Sequence, residues 1–424
     1  MREQYLKIGS GSHQPFAHLL FFFIVWPFGA WLYCLRYVNE RKSYVIFFLF
    51  SLLICWHMAP VSLSDMYDDF IGIYQRFQST EITTDEMVRQ VHAYFTFSRK
   101  APKEIYEIVV IWLVKQFTNN YHFYFLVCSI PVAYFQLKSL KLITDDSKFE
   151  AGTWMGLIVV FFFIFPRDIF TVQNPRFTTG FWLCIACTLY YLCSNRKSIL
   201  FLLPILLAPL IHSALWLYAI VIVIYLLIPQ NVTILKWCAI CTLPLMFFTT
   251  DIFRQIDLSQ FLPPSLYRWS TYHNTDEAYA NLAGAGRSGF WWLGASFALA
   301  KRIMYGVMLI YIIKYFKKED EEINETSKRL YPFILFIFFV TNVLHSVPAL
   351  GERYFCFTQI FVIFLWFKAV YPNNPRILLC LLGASSWNIM VRYGYILGGA
   401  LSVNTHPDLF YSPLPYLLGK GLFW

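Results

Sequence analysis

Residues 167–176 read RDIFTVQNPR, and this polar stretch lies between two strongly apolar runs, 152–166 and 177–193. Charges this close to hydrocarbon-length segments are costly, so by default they mark a functional site. Pro175 fits the first turn of a helix, which places Arg176 on that helix's N-terminal turn. Free backbone N–H groups and a guanidinium there would bind an anion, phosphate above all.

The composition around this stretch is that of a membrane protein. Of the 424 residues, 58% are hydrophobic, 20% aromatic and 14% charged, and the mean hydropathy is +0.51. A membrane-spanning helix needs about 20 mainly apolar residues, and the chain offers such runs almost end to end. The sequence therefore predicts an all-α, polytopic helical membrane protein with about 10–12 transmembrane helices. Residues 1–424 are expected to form a single integral membrane domain.

The basic residues between the runs give an orientation. The first predicted span, 15–35, is followed by Arg36, Arg41 and Lys42. The positive-inside rule makes that loop cytoplasmic and the N-terminus external. The later spans alternate in direction and are predicted at 44–62, 121–137, 152–166, 177–193, 198–211, 214–228, 232–249, 291–313, 331–348, 355–371 and a last run ending near residue 392.

The segments between these spans differ in character. Long external loops are predicted at about 63–104 and 250–290, and a cytoplasmic loop at about 314–330. Within the first external loop, 81–97 has the spacing of an amphipathic helix on the membrane surface. Residues 105–118 are apolar but short and are interrupted by a lysine, so they are interpreted as interfacial or half-inserted.

The orientation brings several polar residues to one membrane face. Asp65, Arg176, His212 and Arg353 are all predicted to lie on the outer side, and Arg268 belongs to the second external loop. A net charge of +9 would suit a nucleic-acid partner only if it were clustered. Because the basic residues are dispersed among short loops, no nucleic acid is expected to bind.

The paired cysteines offer a metal-like spacing, Cys184-x-x-Cys187 and Cys238-x-x-Cys241. Both pairs lie inside apolar runs, where this spacing only places two side chains on one helical face. Cysteine packs as a small hydrophobic residue, so packing is favoured over zinc or redox chemistry.

Taken in chain order, these features resemble one family. The external Asp65-x-Tyr67, the Asn174-Pro175-Arg176 helix entry, the run ending in His212-Ser213 and the late Arg353-Tyr354 are similar to the EpsG family. This family comprises Wzy-like polymerases of exopolysaccharide, capsule and O-antigen synthesis. The resemblance implies a GT-C-like architecture and a metal-independent glycosyltransferase without a cofactor, with its active site on the outer (periplasmic) face of the bacterial inner membrane.

The implied reaction moves a growing glycan from its polyprenyl diphosphate onto the next lipid-linked repeat unit. Its implied partners are the polyprenyl-diphosphate-linked oligosaccharide, membrane lipid, a chain-length regulator and a flippase. The predicted catalytic residues are Asp65, His212 and Arg176, with Asp65 or His212 as proton acceptor. The predicted substrate-binding residues, which include cations for the diphosphate, are Arg353, Arg167, Arg268, Tyr67, Gln173 and Tyr354.

Each assignment has a structural alternative. Arg176 can pair with Asp168 and pin the external turn, His212 can cap a helix end, and Arg353 can pair with its neighbour Glu352. The acidic residues Asp65, Asp68 and Asp69 fall on one face if helical and can bind a divalent ion. Two other functions stay open: a transporter or flippase for lipid-linked sugars, with its charges near the midplane, and a membrane O-acyltransferase that decorates a polysaccharide.

Overall fold

The structure, a computed structural model, describes residues 15–57, 69–79, 82–96, 98, 101–102, 104–164, 166, 175–194, 198–246, 291–318, 325–345, 348–370 and 407–423. Within these ranges all regular elements are helical, which confirms the predicted all-α class for this part of the chain. The helices of the first half are α1 (Phe16–Val25), α2 (Pro27–Arg36), α3 (Arg41–Trp56), α4 (Asp69–Ser79), α5 (Thr84–Phe95), α6 (Ile105–Lys115), α7 (His122–Thr144), α8 (Trp154–Ile164) and α9 (Pro175–Cys193).

The second half continues the helical pattern, with short 3-10 segments at Ile199–Leu202, Leu243–Met246 and Pro407–Phe410 and a π-helical turn at Trp366–Val370. Its helices are α10 (Leu203–Ile211), α11 (Leu215–Leu227), α12 (Val232–Thr242), α13 (Trp291–Lys318), α14 (Glu325–Leu344), α15 (Pro348–Leu365) and α16 (Leu414–Phe423). Most fall where the apolar runs predict spans.

Two of the described helices, α7 and α14, are long and apolar enough to cross a membrane by length and composition. Shorter apolar helical segments accompany them at Phe16–Val25, Trp154–Ile164, Ile199–Ile211, Leu215–Leu227 and Val232–Met246. These helices are consistent with a membrane protein. The count of about 10–12 spans stays a prediction.

The predicted first span, 15–35, is not one helix. It is divided into α1 and α2 at Trp26, whose φ of −149° and ψ of 84° are not helical. The residue before a proline is sterically disfavoured in the helical region, so Pro27 ends one helix and starts the next. The Trp26 indole Nε1 then donates to the Phe410 carbonyl at 2.7 Å, which ties the break to the C-terminal part of the chain.

Helix α9 lies at the centre of the packing, where it contacts α7, α10, α11, α14 and α15. Almost every residue from Pro175 to Leu189 is buried, as expected for a helix that is apolar on all sides. Gly180 permits its close approach to α11, because a Cβ at that position would come within 2.1 Å of Leu215 Cδ1.

Of three further predicted segments, one agrees with the structure and two differ from it. The amphipathic helix in 81–97 is confirmed as α5, and the Thr83 side chain caps it by accepting from the Glu86 N–H at 3.2 Å. Helices α13 and α14 extend into the predicted loop 314–330 at both ends, reaching Lys318 and starting at Glu325. Helix α6 packs against α7 and α10 with a buried face, which the interfacial interpretation of 105–118 did not anticipate.

Candidate active site

Arg176 occupies the first turn of α9, one residue after Pro175, as the sequence predicts. Only 7% of the residue is exposed. Its Nη1 atom lies 2.8 Å from Glu104 Oε2 and also donates a hydrogen bond to Glu107 Oε2. The guanidinium is therefore held between two carboxylates in the interior of the bundle.

Both carboxylates come from the start of α6. Glu104 immediately precedes the helix in an extended conformation, and Glu107 lies in its first turn. Acidic side chains are favoured at a helix N-terminus, and residues three apart share one helical face. The residues are 4% and 6% exposed, so α6 presents two buried acids to α9.

The His212–Ala214 turn between α10 and α11 meets the same carboxylate. Glu104 Oε1 accepts hydrogen bonds from the Ser213 N–H at 3.2 Å and the Ser213 hydroxyl at 3.3 Å. His212 Nε2 lies 3.7 Å from Glu104 Oε1, while its Nδ1 accepts from the Ala214 N–H at 3.1 Å. Glu104 thus joins α6, α9 and the turn at one point.

A second guanidinium, that of Arg76, reaches this cluster from the segment 63–104, which the sequence predicts to be an external loop. Arg76 lies on α4, and its Nε atom donates to Glu107 Oε1. Its side chain is 50% exposed, whereas the Glu107 side chain is 7% exposed. The two arginines and two glutamates balance in formal charge, which makes their burial tolerable.

Helix α15 approaches the turn from the other side. The Arg353 guanidinium carbon lies 5.4 Å from the centre of the Phe177 ring, and that ring meets the His212 ring edge-on at 5.3 Å. Tyr354 is fully buried and its hydroxyl donates to the Ala214 carbonyl at 3.2 Å. This hydrogen bond from Tyr354 holds the turn in place from within the core.

Four of the nine predicted site residues come together: Arg176, His212, Arg353 and Tyr354. The other five lie outside the described residues and stay predictions; they are Asp65, Tyr67, Arg167, Gln173 and Arg268. Asp168, the alternative partner of Arg176, lies there too, and so does the Glu352 side chain. The partners that the structure gives Arg176 are Glu104 and Glu107.

Sequence reasoning missed Glu104, Glu107 and Arg76. A usable signal was present, because two glutamates three residues apart directly before an apolar helix share one face in a chain with few charges. Among the described residues no group of three or more His, Cys, Asp or Glu side chains is arranged to hold a metal ion. Both glutamates face guanidinium groups instead.

A helical bundle this rich in apolar residues, with paired charges buried at the start of two helices, is typical of a membrane protein with a functional site. A family comparison supports this class and refines it. The chain belongs to the EpsG family, whose model matches residues 45–393. EpsG is a family of Wzy-like polymerases, so this chain is a polysaccharide-polymerase type of membrane protein. No curated protein and no solved structure gives a significant match.

Proposed function

We propose that this protein is a membrane glycosyltransferase that joins polyprenyl-diphosphate-linked oligosaccharide repeat units into a surface polysaccharide at the outer face of the bacterial inner membrane. The observation that carries the proposal is the buried cluster of Arg176, Glu104 and Glu107, continued by the His212 turn. Ionic groups are expensive in an apolar bundle and are retained mainly where they act. Capsule, exopolysaccharide or O-antigen is the proposed product class.

The reaction requires a cation for the departing diphosphate. The acceptor hydroxyl attacks the anomeric carbon, the bond from that carbon to the diphosphate oxygen breaks, and polyprenyl diphosphate leaves with the bond's electrons. Arg353 is well placed for this role, since its guanidinium lies over the Phe177 ring next to His212 and is partly exposed. A guanidinium matches phosphate oxygens in pairs and stabilises the developing negative charge.

The acceptor proton requires a base. Asp65 is the proposed acceptor, because it precedes α4, and α4 is attached to the cluster through Arg76. Arg167, Arg268, Tyr67 and Gln173, which belong to predicted external segments of the sequence, are proposed to bind the substrate. Tyr354 supports the turn from the core. The flippase and chain-length regulator of the same pathway are the proposed protein partners.

Placement of the charges favours an enzyme over a transporter. The charge bias of the sequence predicts that Arg176, His212 and Arg353 lie at one membrane face. A transport site is expected near the middle of the spans, where discontinuous helices meet.

The test is a gel of lipid-linked glycans from cells with the gene, without it, and with a plasmid carrying Arg176→Ala. Deletion is expected to leave single repeat units on the lipid carrier, and Arg176→Ala is expected not to restore the ladder in membranes that contain as much of the variant as of the wild-type protein. Arg329→Ala is the matched control, because Arg329 donates to the Ser194 carbonyl just after the opposite end of α9, about 28 Å away by helix rise.

Three outcomes count against the proposal. A normal ladder in the deletion strain would exclude a polymerase. Repeat units trapped on the cytoplasmic side would instead identify a flippase, and a full-length polymer that has lost acyl groups would identify a decorating O-acyltransferase.

A further inference from the structure

One backbone hydrogen bond to the ring of His212 determines its tautomer. The backbone N–H of Ala214 donates to His212 Nδ1 at 3.1 Å. A backbone N–H can only donate, so Nδ1 must be the unprotonated nitrogen. A neutral imidazole carries one proton, which is therefore on Nε2, the atom that lies 3.7 Å from Glu104 Oε1.

This tautomer bears on which group takes the acceptor proton. The Nε2 atom already carries a hydrogen, and the Nδ1 lone pair is covered by the Ala214 N–H. Neither nitrogen then offers a lone pair to a sugar hydroxyl. His212 in this arrangement is a hydrogen-bond donor, and the base of the transfer is a different group.

Glu104 is the residue that maintains this arrangement. One carboxylate oxygen accepts from the Ser213 N–H and hydroxyl and faces His212 Nε2, while the other lies 2.8 Å from Arg176 Nη1. Both carboxylate oxygens therefore serve groups on α9 and on the His212 turn. The carboxylate orients an imidazole and a guanidinium that belong to different elements.

We propose that Glu104 is a positioning residue for the transfer and that it holds His212 as an Nε2–H donor beside Arg176. This rests on the proposed glycosyl transfer. Glu107 shares the guanidinium of Arg176, but no contact described here joins it to the His212 turn. Substitution of Glu104 therefore tests the positioning of His212, and substitution of Glu107 tests the charge balance around Arg176.

The first experiment compares Glu104→Gln with Glu107→Gln in membranes containing the full-length protein, supplied with lipid-linked repeat units extracted from the deletion strain. A misplacement of about 1 Å can cost on the order of 10²-fold in rate, and a fall of this size in kcat is expected for Glu104→Gln. KM is expected to change much less, and Glu107→Gln is expected to lose a smaller part of kcat, because Glu107 contacts Arg176 and, within the described residues, not the His212 turn. Equal losses of kcat in the two variants, at equal protein level, would overturn the positioning role.

The second experiment separates the two ring nitrogens of His212. An asparagine can place its oxygen where Nδ1 accepts, but it cannot supply the distant donor, whereas a glutamine can supply an N–H near the Nε2 position. Loss of one positioned donor costs about 10²- to 10³-fold in kcat, which is the expectation for His212→Asn. His212→Gln is expected to retain clearly more activity. If asparagine proved the better replacement, the donor assignment would be wrong.

The pH profile of kcat/KM gives a readout that a packing role would not move. Among the residues that the structure describes, the charged and titratable groups near the imidazole include Glu104, Arg176, Arg353 and Tyr354. With Nδ1 covered, wild type and His212→Gln are expected to have profiles of the same shape. A limb near pH 6.5 that disappears in His212→Gln would show that His212 titrates as the base.

Failure of this inference is distinguishable from failure of the proposed function. If wild-type membranes build no polymer from the extracted units, while the deletion strain keeps a normal ladder, the glycosyl transfer itself is wrong. If wild type builds polymer and only the variant comparisons go against the expectations above, the transfer stands and the role of Glu104 is wrong.

Discussion

Arg176 Nη1 lies 2.8 Å from Glu104 Oε2, and both side chains are more than nine-tenths buried. The two residues belong to segments far apart in the sequence, the start of α9 and the residue before α6. Their contact is what brings α6, α9 and the His212 turn to a common point, so the cluster is as much a feature of the fold as of the site.

Removal of Arg176 is expected to destabilise the protein strongly. Breaking a buried ion pair leaves an uncompensated charge and typically costs about 3–5 kcal/mol. Arg176→Ala is therefore expected to lower the thermal unfolding midpoint of the detergent-purified protein. Arg76→Ala is the control, since the Arg76 side chain is half exposed and Glu107 keeps Arg176 as a partner, so the loss of stability is expected to be smaller. Similar losses in the two variants would contradict the structure.

Asp146 lies just after the C-terminal end of α7 and forms an ion pair with Lys368. This ion pair is expected to be sensitive to acid. Burial acts to raise the pKa of the Asp146 carboxyl, but the hydrogen bond and charge of Lys368, with the Lys148 backbone N–H, outweigh it and lower that pKa. The pKa of an aspartate carboxyl in the unfolded state is about 3.9. A carboxyl whose pKa is lower than this in the folded state stabilises the protein at pH values above the unfolded-state pKa. This stabilisation is lost as the pH falls through the folded-state pKa.

Thermal unfolding measured from pH 7 down to pH 3 checks this linkage. Asp146→Asn is expected to lower stability at pH 7 and to flatten the acid side of the curve. Asp145→Asn is the matched control, because its carboxylate is 57% exposed and lies 3.9 Å from Lys141. An unchanged acid limb in Asp146→Asn would show that the pair does not contribute.

Gly351 is expected to resist substitution. A Cβ there would lie 2.7 Å from His345 Cα and 3.1 Å from the Leu344 carbonyl oxygen, both backbone atoms that cannot move cheaply. Gly351→Ala is expected to cost about 1–3 kcal/mol, the usual range for overpacking. At Gly419 no atom lies within 4 Å of the added Cβ, and Gly419→Ala should stabilise α16 by up to about 1 kcal/mol. Unfolding midpoints of the two variants should shift in opposite directions.

Trp26→Phe is expected to loosen the C-terminal helix. The substitution removes the indole N–H that donates to the Phe410 carbonyl but keeps an aromatic ring against Phe22. One such hydrogen bond contributes about 0.5–1.5 kcal/mol. Hydrogen exchange of the α16 amides should quicken in this variant and stay unchanged in Trp154→Phe, whose ring is exposed. Equal exchange in all three proteins would mean that the contact does not hold the segment.

Local signals in the sequence predicted much of the fold. Pro175 placed the start of α9 because proline is favoured in the first turn of a helix, and the apolar runs placed most other helices within a few residues. The break at Pro27 was readable from the same rule. It was passed over because the hydrophobicity of 15–35 is continuous, and hydrophobicity alone does not register backbone geometry.

The site was less predictable because its contacts join distant segments. Charge bias brought Arg176, His212 and Arg353 to one side, and the structure places all three around Phe177 and Glu104. The partners of Arg176 were missed. Lys115 and the short length of α6 suggested a peripheral segment, and no local pattern tells a glutamate which distant guanidinium it will meet.

The half-exposed Arg76 makes the attachment of α4 sensitive to the surrounding solution. Dissolved ions screen charges over a Debye length of about 10 Å at 0.1 M ionic strength, but they act much less on pairs shielded from water. Rising ionic strength therefore weakens the link from Arg76 to Glu107 and leaves the link from Arg176 to Glu104 in place. The medium thus weakens only the electrostatic part of this attachment, while the buried side chains of Ile73 and Phe77 keep α4 packed on the bundle.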